Sequence, residues 1–260
     1  MDASMWVAKT GLDAQQTRMN VISNNLANVN TTGFKSDRAV FEDMLYQNVR
    51  QAGGQTDVNS QAPTGLMLGT GVKIVATQKQ VTQGDMQTTS NPLDLAIQGN
   101  GYFQIAQANG SLAYTRNGNF QLSATGQIVS STGQLLQPAI TVPPTASSIT
   151  FGGDGTVTAI LNTGASQTLG QLQIATFVNV AGLQSIGGNL MTPTPASGVP
   201  TVVNPGVNGA GTIAQGSLEA SNVNVVAEMV NMIETQRAYE INSKAISAVN
   251  DMLSFINQHL

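Results

Sequence analysis

Apolar positions at the start of the chain recur at helical spacing. Met5, Ala8, Leu12, Gln15, Met19, Ile22, Leu26 and Val29 follow one another at intervals of three and four, and seven of these eight are apolar. Such a heptad seam predicts an α-helix that buries one stripe against another helix. Asp2 or Ser4 suits its N-cap, and Gly33 its stop. The end of the chain has the same character. Asn222 or Asn224 suits the cap, and Glu228 falls in the first turn, where the helix dipole favours a negative charge. Val226, Val230 and Ile233 open the apolar face. Ile241, Ala245, Ala248, Met252 and Phe255 then form one stripe, and Ile246, Val249, Leu253 and Ile256 a second beside it. That face is wider than a two-helix seam needs.

Between these segments the period changes. Val72, Ile74, Val75 and Val81 stand among Thr and Gln, and Leu95, Ile97, Tyr102, Phe103 and Ile105 alternate with polar or small residues. Asn109-Gly110, Asn117-Gly118, Thr125-Gly126, Thr132-Gly133 and Asp154-Gly155 punctuate short apolar runs, the signature of successive hairpins. Leu172, Ile174, Thr176, Phe177 and Val178 read as a further strand. Gln51–Thr70 and Thr192–Gly216 read as extended and loose, at matching depth from the two ends. The expected fold is therefore α+β. N- and C-terminal helices form a coiled-coil core domain (1–33 and 222–260), extended β segments form a linker (34–92 and 192–221), and an all-β outer domain (93–191) is inserted between them.

Composition narrows the chemistry. Of 260 residues only 9% are charged, against roughly 25% in typical domains. Between Asp94 and Glu219 the only charged side chains are Arg116 and Asp154. A net charge of −4 spread this thinly offers no basic surface, which argues against a nucleic-acid partner. Without Cys there is no disulfide, thiolate metal site or cysteine nucleophile. The one histidine, His259, is penultimate and reads as a solvated end residue, so no Ser-His-Asp triad is available. Gly99-Asn100-Gly101 lacks the third glycine and the following helix of a dinucleotide site. No zinc cluster or calcium loop appears, so neither catalysis, cofactor nor metal is expected. The first residues lack a basic stretch before an apolar core, so no cleaved signal peptide is expected, and no apolar run is long enough to enter and span a bilayer.

The outer faces of the helices carry amides instead of charges. Thr17, Asn20, Asn24 and Asn28 fall away from the first seam, and Asn231, Gln236, Asn242, Asn250 and Asn257 are scattered through the second. Amides make hydrogen bonds across a packed boundary without the cost of burying ions. Both faces therefore look built for contact, and the simplest context is a polymer in which helices of neighbouring copies surround one another. The expected polymer-interface residues are Met5, Leu12, Met19, Ile22, Asn24, Leu26, Asn28 and Val29 from the first helix. The last helix adds Val230, Ile233, Ile241, Ile246, Val249, Leu253 and Ile256.

Three blocks carry a resemblance. Asn24–Lys35 (NNLANVNTTGFK) resembles the N-terminal signature of the bacterial flagellar rod and hook axial proteins, and Gly216–Ile246 resembles the family's C-terminal signature. NPLDLAIQGNGYFQI and YTRNGNFQLSATGQIV in the middle are also similar, with Tyr102 where relatives usually carry Phe. MWVAKTGLDAQQ at the start and AVFEDMLY before the Gly-rich Gln51–Leu68 stretch resemble the distal-rod branch of the family.

This resemblance implies a structural subunit of a rigid hollow helical tube, with no enzymatic activity. The tube would carry motor torque across the periplasm to the hook. Gly33 would redirect the chain into the linker, and an insertion over 46–70 (Tyr46, Gly53, Gly54, Pro63, Leu68) would stiffen the rod. Implied partners are other copies of the chain, proximal rod proteins, hook protein, the rings of the peptidoglycan layer and outer membrane, and the flagellar type III export apparatus. The implied location is the periplasm-spanning rod of the basal body. The alternatives are another rod or hook axial protein and a secreted β-rich adhesin, against which the paired terminal helices argue.

Overall fold

A computed structural model describes residues 3–53, 55–57, 60–61 and 63–259, with side chains at 55–57, 60–61 and 256–259 outside the description. Gly54 and the side chain of Ile256 therefore lie outside the described residues. The architecture is α+β, with a helix at each end and a middle that is almost entirely strand. Among the described residues no helix is long and apolar enough to cross a membrane.

The chain divides into two compact units. The first comprises Met1–Leu26, Asp37–Gln78 and Asn224–Leu260, and the second Ala27–Ser36 and Lys79–Val223. In the first unit, helix α1 (Ala3–Ala27) and helix α2 (Val225–His259) accompany a β-ribbon. Asn224 caps α2, its Oδ1 accepting from the Ala227 N–H at 3.1 Å. Helix α1 stops at Ala27, six residues before Gly33. Asn is a poor helix former, and the run Asn28-Val29-Asn30-Thr31-Thr32 unwinds into turns.

The ribbon runs out and back. Asp37–Asp43 pairs Val72–Lys79, and Gln47–Arg50 pairs Leu66–Leu68 antiparallel beyond it. Gln55–Asp57 pairs Ser60–Gln61 near the tip. The described strands within the stretch expected to be loose are thus paired, and Met44 N–H to Gly71 O at 2.8 Å and Thr70 Oγ1 to Leu45 O at 2.6 Å join the two sides of the ribbon.

The second unit is built on a nine-stranded sheet and a three-stranded sheet. Hairpins turn at Asn109-Gly110, Thr125-Gly126, Thr132-Gly133 and Asp154-Gly155, each glycine at positive φ as such turns require. Asn117-Gly118 makes no hairpin. It returns the chain to Leu95, whose N–H donates to Gly118 O at 3.0 Å. The core gathers Leu95, Ile97, Phe103, Ile105, Phe120, Ile128 and Leu136, with Phe103 and Phe120 edge to face at 5.2 Å. The strand read over Leu172–Val178 is shorter, Ile174–Thr176, and Val178 is exposed. The second loose stretch contains paired strands too: Thr201–Val203 pairs Ile174–Thr176 and Thr212–Gln215 pairs Leu95–Gln98, and just beyond it Ser217–Glu219 pairs Met86–Thr88. Leu95, Ala96 and Ile97 are wholly buried, so their backbone groups need a partner, and the late strand supplies it.

Candidate functional site

Among the described residues no cavity with converging reactive groups stands out. Three other features do: a buried charge node in the second unit, the faces of α1 and α2 in the first, and the ribbon.

The node begins with Gly33. Its φ is +71°, and a Cβ there would lie 2.7 Å from the Arg116 carbonyl carbon, so only glycine fits. The Gly33 N–H donates to Glu219 O at 2.7 Å. The turn at Gly33 carries Lys35 inward, with a side chain only 1% exposed. Lys35 Nζ donates to Glu219 Oε1 at 2.6 Å and to Thr82 O at 2.7 Å. The Gly84 N–H donates to the same carboxylate oxygen at 3.1 Å. Glu219 Oε2 accepts from Arg116 Nη1 at 3.1 Å. Arg116 also donates to the carbonyls of Ile97 and Gly99, and its guanidinium carbon lies 5.3 Å from the centre of the Tyr102 ring.

One wholly buried carboxylate is thus shared by two cations. Burial lowers the pKa of Lys35 from its ordinary value, and the hydrogen bond to Glu219 opposes that shift. Asn222 completes the node. Its Oδ1 accepts from the Ser36 N–H at 2.7 Å, and its Nδ2 donates to the carbonyls of Gln80 at 2.8 Å and Thr82 at 3.1 Å.

In the first unit, two contacts fix the register of the helices. Asn25 Nδ2 donates to Glu228 Oε1 at 3.2 Å, and a Cβ at Gly11 would lie 3.1 Å from Asn242 Nδ2. Fourteen residues separate Gly11 from Asn25 and fourteen separate Glu228 from Asn242, so the helices run antiparallel without slip. The covered positions of α2 are Glu228, Asn231, Met232, Thr235, Ala238 and Asn242, polar or small except for Met232, and they continue into the half-buried Ile246 and Val249. Thr235 is wholly buried, its hydroxyl donating to Asn231 O at 2.6 Å. The opposite face carries Val226, Val230, Ile233, Arg237, Ile241, Lys244 and Ala248, again at intervals of three and four. Val226 is 72% exposed and Ile241 67%. Over Val226–Ile241, helix α2 therefore leaves large apolar side chains exposed beside Arg237 while most of what it covers is polar or small, unlike an ordinary surface helix.

The expected interface residues divide accordingly. Val230, Ile233, Ile241 and Leu253 are exposed, and Ile246 and Val249 are half-buried. On α1, Ile22 is buried, and Met5, Leu12, Met19 and Leu26 are half-buried, as is Val29 beyond its end. The buried positions of α1 are Ala14, Ile22 and Asn25, a stripe rotated from the expected seam and sharing Ile22 with it. Asn24 is exposed. Asn28 is half-buried beyond the helix end, its Oδ1 accepting from Thr31 Oγ1 at 3.1 Å. In the ribbon, Tyr46, Gly53, Pro63 and Leu68 are exposed, and so are Val49 and Met67, with Leu45 at 90%.

Sequence reasoning missed Asn25, Lys35, Arg116, Glu219 and Asn222 as a group. Asn25 is 1% exposed. Its Oδ1 accepts from the Asp37 N–H at 2.9 Å and its Nδ2 donates to Asp37 O at 2.8 Å. The one available signal was Arg116, the sole cation in a long stretch nearly bare of charge.

Comparison with known proteins accounts for this distribution. A family model described as "Flagella basal body rod protein" matches residues 5–35. One described as "Flagellar hook protein FlgE/F/G D1 domain" matches 96–159, and "Flagellar basal body rod FlgEFG protein C-terminal" matches 214–259. Lys35, Arg116 and Glu219 fall one in each matched segment. The flagellar basal-body rod protein FlgG of Buchnera aphidicola subsp. Schizaphis graminum is 50% identical, over 99% of this chain and 100% of its own. FlgG of Caulobacter vibrioides is 47% identical over 96% and 97%. FlgF of the same species is 33% identical over 94% and 92%. With its helical ends, its β body and full-length likeness to these proteins, the chain belongs to the FlgG family of flagellar basal-body rod proteins.

Proposed function

We propose that the chain is a structural, non-catalytic subunit of the flagellar distal rod, and that it polymerises into a rigid hollow helical tube carrying motor torque across the periplasm to the hook. The observation that carries this reading is the outward apolar stripe of α2. Val226, Val230, Ile233 and Ile241 are large, apolar and half or more exposed. Burying them is worth roughly 1.5–3 kcal/mol each, available only when another surface covers the stripe. In the tube, α1 and α2 of successive copies supply that surface as a coiled-coil shell. The three-part division into helical core (1–33, 222–260), linker (34–92, 192–221) and outer β domain (93–191) describes the layers of that tube, and Gly33 starts the path from core to linker.

The exposed ribbon residues Leu45, Tyr46, Met67 and Leu68 fit lateral contact with neighbouring copies, the stiffening role proposed for 46–70. A two-stranded ribbon on its own is marginal in water, which favours a covered state. Proximal rod proteins, the hook protein, the surrounding rings and the type III export apparatus are the proposed partners, and passage through that apparatus leaves the N-terminus uncleaved. A rod or hook protein of another branch is the second reading. Identity of 50% to a FlgG against 33% to an FlgF favours the first. Electron microscopy of cells lacking the gene tests the proposal. The expected result is basal bodies with a truncated rod and no hook, and complete hooks in such cells would overturn it.

A further inference from the structure

The backbone passes between the two units four times, at Leu26–Ala27, Ser36–Asp37, Gln78–Lys79 and Val223–Asn224. Any force carried covalently from one unit to the other crosses at these points. A single extended passage under load would be a weak link, because the residues beside it are held by few contacts. Each unit gathers the passages on its own side.

In the second unit one asparagine does this. Asn222 takes the Ser36 N–H at 2.7 Å and donates to Gln80 O at 2.8 Å and Thr82 O at 3.1 Å, and the Gln80 N–H donates to Ser36 O at 2.8 Å. Three passages are thereby cross-linked within two residues of where they leave. Lys35, next to Ser36, and Glu219, four residues before Val223, extend the link through Arg116 to the carbonyls of Ile97 and Gly99, at the edge of a buried strand. In the first unit Asn25 plays the corresponding part. It bonds both backbone groups of Asp37 and the side chain of Glu228, and so ties three passages on that side.

We propose that Asn222, with the Lys35–Glu219–Arg116 anchor, in the second unit, and Asn25 in the first, each clamp together the chain segments that leave their own unit, so that load on those segments is shared. The side chains bundle the passages so that they are loaded together. This proposal rests on the rod reading for its load, but the coupling itself is a property of the isolated chain.

The test uses the full chain with Asn222→Ala, and with Asn222→Asp as the isosteric change that removes the bonds donated by Nδ2 to Gln80 O, Thr82 O and Thr82 Oγ1. In amide exchange read by mass spectrometry, both variants are expected to exchange about tenfold faster in segments 33–37, 79–84 and 217–224, with segment 102–122 unchanged. In cells, both are expected to build rods and hooks but to lose swimming speed more steeply than the wild type as viscosity rises. Unchanged exchange in the three segments would overturn the coupling. So would a uniform rise across the β body, which would make Asn222 an ordinary core residue. A wild-type viscosity profile with hooks present, or absent rods with normal exchange, would overturn the mechanical role. Hooks in cells lacking the gene altogether would instead sink the rod reading and leave the exchange result standing.

Discussion

Gly11 of α1 lies directly beneath the side chain of Asn242 of α2. A Cβ on residue 11 would come within 3.1 Å of the Asn242 amide nitrogen, so the helices meet here because one of them has no side chain. Gly11→Ala asks only that a flexible amide yield by a few tenths of an ångström. Gly11→Leu has no such escape, since the added branches meet α2 itself. The expected outcome is near-normal α1–α2 contact in Gly11→Ala and its loss in Gly11→Leu. A cysteine pair at Ile22 and Asn231, adjacent by the same register, would report it as a crosslinking yield.

Glu219→Gln removes the only acid facing Lys35 and Arg116 within the node. Breaking a buried ion pair from one side costs about 3–5 kcal/mol, because the partner charge stays behind. Urea denaturation should show a loss of that size in the transition of the β unit. Adding Lys35→Met to Glu219→Gln should recover part of it, since one unpaired cation is then gone. Equal losses in the single and double variants would show that the two residues are not coupled.

Ile241→Asp places a charge on the outward stripe of α2, on a residue 67% exposed. A surface change of this kind moves stability by about 0.5 kcal/mol or less. Polymerisation, measured by sedimentation, should nevertheless fail. Assembly of Ile241→Asp at the wild-type concentration would remove the outward stripe from the interface.

Gly33→Ala forces an L-residue into positive φ and pushes its Cβ against the backbone of Arg116. The loss should exceed the roughly 0.4–1 kcal/mol that a compatible Gly→Ala change gains, with the opposite sign. Thermal unfolding of the β unit is the readout. Glycine at other positive-φ turns, such as Gly110, has open space around its Cβ position and should show the smaller cost of φ alone.

The tyrosines set an alkaline limit. Burial raises the pKa of Tyr102 above 10.0, with Arg116 opposing and Glu219 assisting the shift, and burial raises Tyr114 as well. The native state therefore holds these protons more tightly than the unfolded chain. Their contribution is complete below about pH 10 and is lost as pH rises through the folded values. Stability of the β unit should fall above pH 10, and Tyr102→Phe with Tyr114→Phe should flatten that fall.

Both terminal helices and most hairpins were legible in the sequence because their signals are local. Heptad spacing, Asn224 ahead of an apolar run, and X-Gly pairs each act within a few residues. Asn117-Gly118 carried the same signal and formed no hairpin, because Leu95 claims the Gly118 carbonyl from far along the chain. The node was illegible for the same reason. Lys35 sits after a polar turn and reads as a surface lysine, and nothing near it names Glu219 as its partner. The facing of the α2 stripes was half legible. Two stripes were visible from Ile241 onward, but a sequence does not say that the covered positions before them, Glu228, Asn231, Thr235 and Asn242, are polar ones. Asn25 was indistinguishable from Asn24, and only the turn into Asp37 separates a buried amide from an exposed one.

Lys35 and Glu219 stand 184 positions apart, and strand Thr212–Gln215 finds its partner at Leu95–Gln98. In kinetic terms the β unit is a high-contact-order body, whose closing contacts come only when nearly all of its chain is present. Sheet bodies of this kind close in milliseconds to seconds, whereas helical segments form in about a microsecond. The β unit therefore sets the pace at which a newly delivered chain becomes a finished subunit.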